Sequence, residues 1–106
     1  MIIIKGIPGS VGVITGVARV IIDQHHLQAF KSGEILVTKQ TSPAWTPIFM
    51  AAKAIVTEIG GQLSHAAIVA REYGIPAVVG VPNATKLLKS GIKIEVNGTK
   101  GTIQVL

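Results

Sequence analysis

The chain has 106 residues, 48% of them apolar, a net charge of +5 and no cysteine. That length builds one domain with its own apolar core, and the lack of thiols excludes disulfides, thiolate metal sites and cysteine redox chemistry. Lys and Arg are scattered without a run, and the aromatic set is one Trp, one Tyr and two Phe. This excludes a base-stacking platform for nucleic acid and suits phosphorylated small molecules or an acidic docking surface better.

Residues 1–5 are too short for a signal-peptide core, and no stretch approaches a membrane span, so a cytoplasmic protein with no membrane partner is expected. Gly6 to Ser10, with Pro8 and Gly9, predicts a turn-rich opening loop. Gly16 to Ile22 is β-branched and extended, closed by Asp23. His25 to Phe30 predicts a short helix ending at Gly33, and Glu34 to Thr38 a buried strand. Thr41-Ser42-Pro43 and Thr46-Pro47 each resemble a helix start, a hydroxyl before proline. Proline is tolerated only near the start, which predicts a helix over Pro47 to Lys53 after a turn holding Trp45.

Ala54 to Thr57 is a short apolar strand of the kind covered on both faces. Ser64 predicts a helix cap, the helix running to about Tyr73, with Gly74 as its left-handed terminator and Pro76 just beyond. Ala77 to Gly80 predicts a further buried strand and Ala84 to Leu88 a short helix ended by Ser90-Gly91. Ile92, Ile94 and Val96 alternate with Lys93 and Glu95, a half-exposed strand. Asn97-Gly98 then turns the chain into Thr102 to Val105, its antiparallel partner. The expected fold class is α/β with a mixed sheet and short helices, in a single domain over residues 1–106.

His65 stands at the predicted start of the Ser64–Tyr73 helix, directly after a buried strand and the Gly60-Gly61 break. A neutral imidazole nitrogen is a good nucleophile towards phosphorus, provided that it is exposed and its other nitrogen is oriented by a hydrogen bond. The positive end of a helix disfavours imidazolium and favours a dianionic phosphoryl group once attached. Against this stands the commoner role of a helix-start histidine as a surface or capping residue. Ser64 does not form a dyad with it, because neighbours on a helix diverge; Ser64 fits the cap. Gly60-Gly61 resembles a phosphate-accommodating turn but lacks the lysine of a P-loop.

Arg71 projects from a different turn and face than His65; pairing with Glu58, Glu72 or a partner protein is its expected use, with phosphate contact the lesser alternative. His25-His26 diverge and no second cluster completes a tetrahedral set, so no metal site is expected. Asn83-Ala-Thr85 and Asn97-Gly-Thr99 match glycosylation acceptors formally, yet ordinary turns are expected. Trp45, Phe49 and Met50 suit the core or its edge, with a docking contact as the second reading for Trp45 on its proline-flanked loop.

Residues 57 to 80 resemble the phosphohistidine, or swivelling, domain of phosphoenolpyruvate-utilising enzymes, a family that includes pyruvate phosphate dikinase, phosphoenolpyruvate synthase, enzyme I and rifampicin phosphotransferase. The shared pattern Thr-x-x-Gly-Gly-x-x-Ser/Cys-His-x-x-x-x-Ala-Arg is matched by Thr57, Gly60, Gly61, Ser64, His65, Ala70 and Arg71. Gly74-Ile75-Pro76-Ala77-Val78-Val79-Gly80 extends it, and weaker similarity covers residues 6–20 and 97–105.

The resemblance implies a compact swivelling β/β/α domain in which His65 is transiently phosphorylated. Thr57, Gly60, Gly61 and Ser64 would shape the turn, and Arg71 would stabilise local charge or a docking face. It further implies that this chain binds no cofactor itself. ATP and Mg2+ would belong to an ATP-grasp-like nucleotide-binding partner domain, and a phosphoenolpyruvate/pyruvate or other acceptor domain would take the group. The chain would be either a free-standing subunit or one domain of a larger enzyme, and Met1 and the closing strand give both ends a finished look. Leu63 stands where dikinases and synthases carry a regulatory threonine, which removes that switch. Leu63-Ser64-His65, with Pro43-Ala44-Trp45-Thr46-Pro47, looks closer to the rifampicin phosphotransferase and synthase-like branch. A mobile domain of a rifampicin-type enzyme, or a non-catalytic docking domain of the same fold, are the alternatives.

Overall fold

The computed structural model describes residues 2–106. Eight strands and three α-helices follow one another as β1 (Ile2–Lys5), β2 (Ile7–Ser10), β3 (Val13–Val20), β4 (Ile35–Thr38), α1 (Thr46–Ala51), β5 (Ala54–Thr57), α2 (His65–Tyr73), β6 (Ala77–Val79), α3 (Ala84–Leu87), β7 (Lys93–Asn97) and β8 (Thr102–Val105). Two 3-10 turns, Gln24–Ala29 and Pro43–Trp45, lie in the connections.

The strands are ordered β1-β8-β7-β3-β4-β5-β6-β2. β1, β8, β7 and the first half of β3 pair antiparallel, Val13 opposite Asn97 through Val17 opposite Lys93. The second half of β3 runs parallel to β4, followed by parallel β5 and β6 and by antiparallel β2. β3 thus belongs to both halves. Only Gly6 separates β1 from β2, and its N–H donates to Gly101 O at 2.8 Å as the chain crosses from one margin to the other.

Strand alternation explains the three layers. In β4, Ile35 and Val37 enter the core between the two sheet halves, while Leu36 enters the core beneath the helices. Ala54 and Val56 against Ile55, and Val78 against Ala77 and Val79, repeat the pattern. Both faces of β4, β5 and β6 are covered, which is why their sequences are apolar runs up to the threonines that end β4 and β5. Each fully buried Leu or Ile contributes about 1.5–3 kcal/mol. The helix layer is thin because α2 presents Ala66, Ala67 and Ala70, all buried, to the sheet.

At the junction of β3 and β4 the Arg19 guanidinium grips the buried Glu34 carboxylate. Nε donates to Oε1 at 3.1 Å and Nη2 to Oε2 at 2.7 Å, while the Lys31 N–H adds a bond to Oε1 at 2.7 Å.

Several expectations are corrected. Ile7 to Ser10 is not an opening loop but the edge strand β2, opposite Val79 to Ala77 with an irregularity between Pro8 and Ser10. An edge position is where proline is tolerated in a sheet. Residues 24–29 form a 3-10 turn rather than an α-helix, with the Asp23 carboxylate accepting from His25 N at 2.9 Å. The helix after Trp45 spans Thr46–Ala51, with the Ala52 N–H donating to Ile48 O before β5 begins. No helix among the described residues is long and apolar enough to cross a membrane.

Candidate functional site

β5 ends at Thr57, a fully buried residue whose hydroxyl donates to Ile59 O at 3.0 Å and bends the chain out of the sheet. Glu58 is held outward, its carboxylate accepting from Thr85 N at 2.8 Å and from the Thr85 hydroxyl. Those Thr85 bonds hold the Glu58 carboxyl below its ordinary range. Gly60 follows with φ +121°, and a Cβ placed there would lie 2.8 Å from Ser64 Cβ. No L-residue with a side chain fits that conformation comfortably. Gly61 differs: nothing lies within 4 Å of its would-be Cβ, so its missing side chain leaves open space beside the turn.

Ser64 closes the turn. Its hydroxyl donates to Gly61 O at 2.7 Å and accepts from Ala67 N at 3.5 Å, capping α2. Gly74 ends the helix in the left-handed region at φ 69°, its N–H directed to the carbonyls of Ala70 and Arg71. Both ends of the helix were legible in the sequence for the physical reasons that favour those residues there.

His65 is therefore the first residue of α2, and its ring is half-buried. Its Nδ1 lies 2.8 Å from Thr41 Oγ1, and the ring stands edge-on to the buried Phe49, centroids 5.9 Å apart at 84°. Nε2 has no hydrogen-bond partner among the described residues, and it is not sealed from solvent. Two contacts fix the ring plane and one nitrogen; the other is left free. Thr41 was missed as a contributor: it lies 24 residues before His65, and only the parallel neighbours β4 and β5 bring the two segments together.

Arg71 pairs with neither Glu58 nor Glu72. Its Nε donates to Gly9 O at 2.8 Å and Nη2 to Gln62 O, joining α2 to β2 and to the turn before His65. Main-chain acceptors carry no sequence signature, which is why side-chain partners were expected instead. Exposed apolar residues stand on the elements that carry or touch the histidine. Leu63 is 86% exposed, Met50, beside Phe49, is 73% exposed, and Ile68, one turn along α2, is 42% exposed. His25 and His26 lie on the surface, and no group of three or more metal-binding side chains occurs among the described residues.

Residues 30–101 match the family described as PEP-utilising enzyme, mobile domain. The chain is 53% identical over 104 residues to the probable phosphoenolpyruvate synthase of Staphylothermus marinus, covering 96% of this chain and 12% of that protein. It is 54% identical over 103 residues to the rifampicin phosphotransferase of Bacillus cereus, covering 97% of this chain and 12% of that protein. The chain thus spans about one-eighth of the length of these curated relatives. Among solved structures, Enzyme I (nEIt) superposes with a TM-score of 0.64 at 32% identity, over 74% of this chain and 33% of that one. With its β/β/α layering and the Gly-Gly-x-x-Ser-His turn in place, the chain belongs to the mobile-domain family of phosphoenolpyruvate-utilising enzymes.

Proposed function

We propose that this chain is a phosphoryl carrier in which Nε2 of His65 takes a phosphoryl group from a nucleotide bound by a partner domain and passes it to an acceptor on a second one. The observation that carries this reading is the division of the imidazole. Nδ1 is engaged by Thr41 at 2.8 Å, while Nε2 is open to solvent at the first turn of α2. With the proton on Nδ1 and donated to Thr41 Oγ1, the lone pair resides on Nε2. That lone pair attacks phosphorus, an N–P bond forms, and the P–O bond to the leaving nucleotide oxygen breaks with its electron pair. In the second half, an acceptor oxygen attacks the same phosphorus and the electrons of the N–P bond return to Nε2. The Nδ1 proton is not needed elsewhere in either step.

The free N–H groups of the first turn of α2 suit the dianion that results. Gly61 leaves room for a donor to approach, and the exposed Leu63, Met50 and Ile68, on the turn, α1 and α2, offer apolar contact to a partner. ATP and Mg2+ belong on the nucleotide-binding partner, and phosphoenolpyruvate/pyruvate or another acceptor on the second. A synthase and a rifampicin phosphotransferase resemble the chain almost equally, at 53% and 54% identity, as a carrier shared among different acceptors would.

The test is incubation of the chain with labelled ATP and the nucleotide-binding domain of such an enzyme. The expected product is an acid-labile, alkali-stable adduct, placed on Nε2 by 15N and 31P spectra and absent from His65→Ala. Label that persists in His65→Ala overturns the assignment. A stable complex that never gains phosphate would instead make the chain a docking domain.

A further inference from the structure

We infer that Arg71 is a positioning residue for His65, acting through the main chain of the Gly60–Ser64 turn rather than by holding phosphate. The inference deepens the carrier reading and rests on it for its functional consequence, though not for its structural one.

Arg71 is the seventh residue of α2, and helical side chains lean towards the helix N-terminus, so a long one reaches back along its own helix. Its guanidinium ends between two carbonyls from separate segments, Gly9 of edge strand β2 and Gln62 of the turn. A planar fork serves two acceptors at a fixed mutual angle; a lysine ammonium, a point charge on a flexible stem, does not.

The turn needs such a strap because it has little other anchorage at its middle. Gln62 and Leu63 are both exposed, so neither side chain seats the loop in a core. Gln62 Nε2 reaches Pro8 O only at 3.4 Å. Gly60 and Gly61 supply no side-chain contact. Ser64 holds its own end of the turn through Gly61 O, but both residues lie within the turn and would move together. Arg71 ties that unit to the sheet. With the strap loosened, the cap on α2 and the angle at which His65 meets Thr41 loosen with it.

The experiment compares Arg71→Lys and Arg71→Ala with the unsubstituted chain, using Arg19→Lys as a remote control. The first readout needs no phosphorylation: two-bond 15N–1H spectra report which ring nitrogen of His65 carries the proton. The unsubstituted chain and Arg19→Lys are expected to show one tautomer, protonated on Nδ1. Both Arg71 variants are expected to show a mixture, a change that loss of general stability does not produce. Phosphoryl uptake should fall about tenfold in both Arg71 variants, and the lifetime of the phosphohistidine once formed should be unchanged.

Wild-type uptake and a single tautomer in Arg71→Lys would overturn the strap in favour of simple charge. A shortened phosphohistidine lifetime in either variant would overturn it in favour of direct phosphate contact. If the unsubstituted chain takes up no phosphate yet the tautomer responds to Arg71, the carrier reading fails and the strap stands.

Discussion

Thr41 and His65 meet through one 2.8 Å contact between Oγ1 and Nδ1, made by a loop after β4 and the first residue of α2. The contact ties the state of the imidazole to the loop after β4. Thr41→Val removes the acceptor and keeps the shape, and is expected to slow phosphoryl uptake roughly three- to tenfold, the equivalent of one neutral hydrogen bond. Thr41→Ser should retain most of the rate. Single-turnover labelling beside circular dichroism checks both, and equal rates for Val and Ser would remove Thr41 from the mechanism.

The two glycines before the helix should behave oppositely. Gly60→Ala forces a side chain into a left-handed conformation against Ser64, and is expected to cost about 1–3 kcal/mol. Gly61→Ala meets open space and should stay within about 0.5 kcal/mol of the parent in urea denaturation. Bulk at Gly61 would act on function instead: Gly61→Leu should fold normally and take up phosphate more slowly.

Glu34 sets a pH dependence. The Arg19 guanidinium, aided by the Lys31 N–H, holds its carboxyl below the ordinary carboxylate range, although burial pushes the other way. The unfolded chain therefore binds this proton more readily than the folded one. The stabilisation is complete above the unfolded value near 4.5 and disappears as pH falls through the lower folded value. Glu34→Gln should lose about 1–3 kcal/mol at neutral pH and show a flatter stability profile below pH ~4.5. Urea midpoints measured from neutral to acid pH decide it; parallel profiles for the two chains would refute the assignment.

Thr38 offers the reverse case. Its side chain is fully buried at the end of β4, and its hydroxyl finds no hydrogen-bond partner among the described residues. An unpaired hydroxyl in that position is unfavourable. Thr38→Val is expected to raise stability by about 1 kcal/mol without changing phosphoryl uptake. A loss of stability in thermal melts would show that the hydroxyl is satisfied in solution.

How far the sequence foretold these features depends on whether their causes are local. α2 was legible from Ser64 to Gly74 because a cap and a left-handed terminator are chosen by backbone geometry within a few residues. The buried strands β4, β5 and β6 were legible because two covered faces leave apolar runs, broken only by the threonines that end β4 and β5. β1 drew no prediction, and β2 was misread because Ile7-Pro8-Gly9-Ser10 has turn-forming composition; only its place at the margin of the sheet makes it a strand. Residues 24–29 wind more tightly than an α-helix. At the site, His65 and its turn stood out, whereas Thr41 and the acceptors of Arg71 come from distant segments that the fold alone assembles.

The passage of β1 into β2 across Gly6 means that a single length of chain stitches both rims of the sheet. Because one strand cannot leave its rim without dragging on the next, the antiparallel and parallel halves are expected to come apart together. The amide of Gly6, midway along the seam, should exchange its hydrogen only when the entire fold opens.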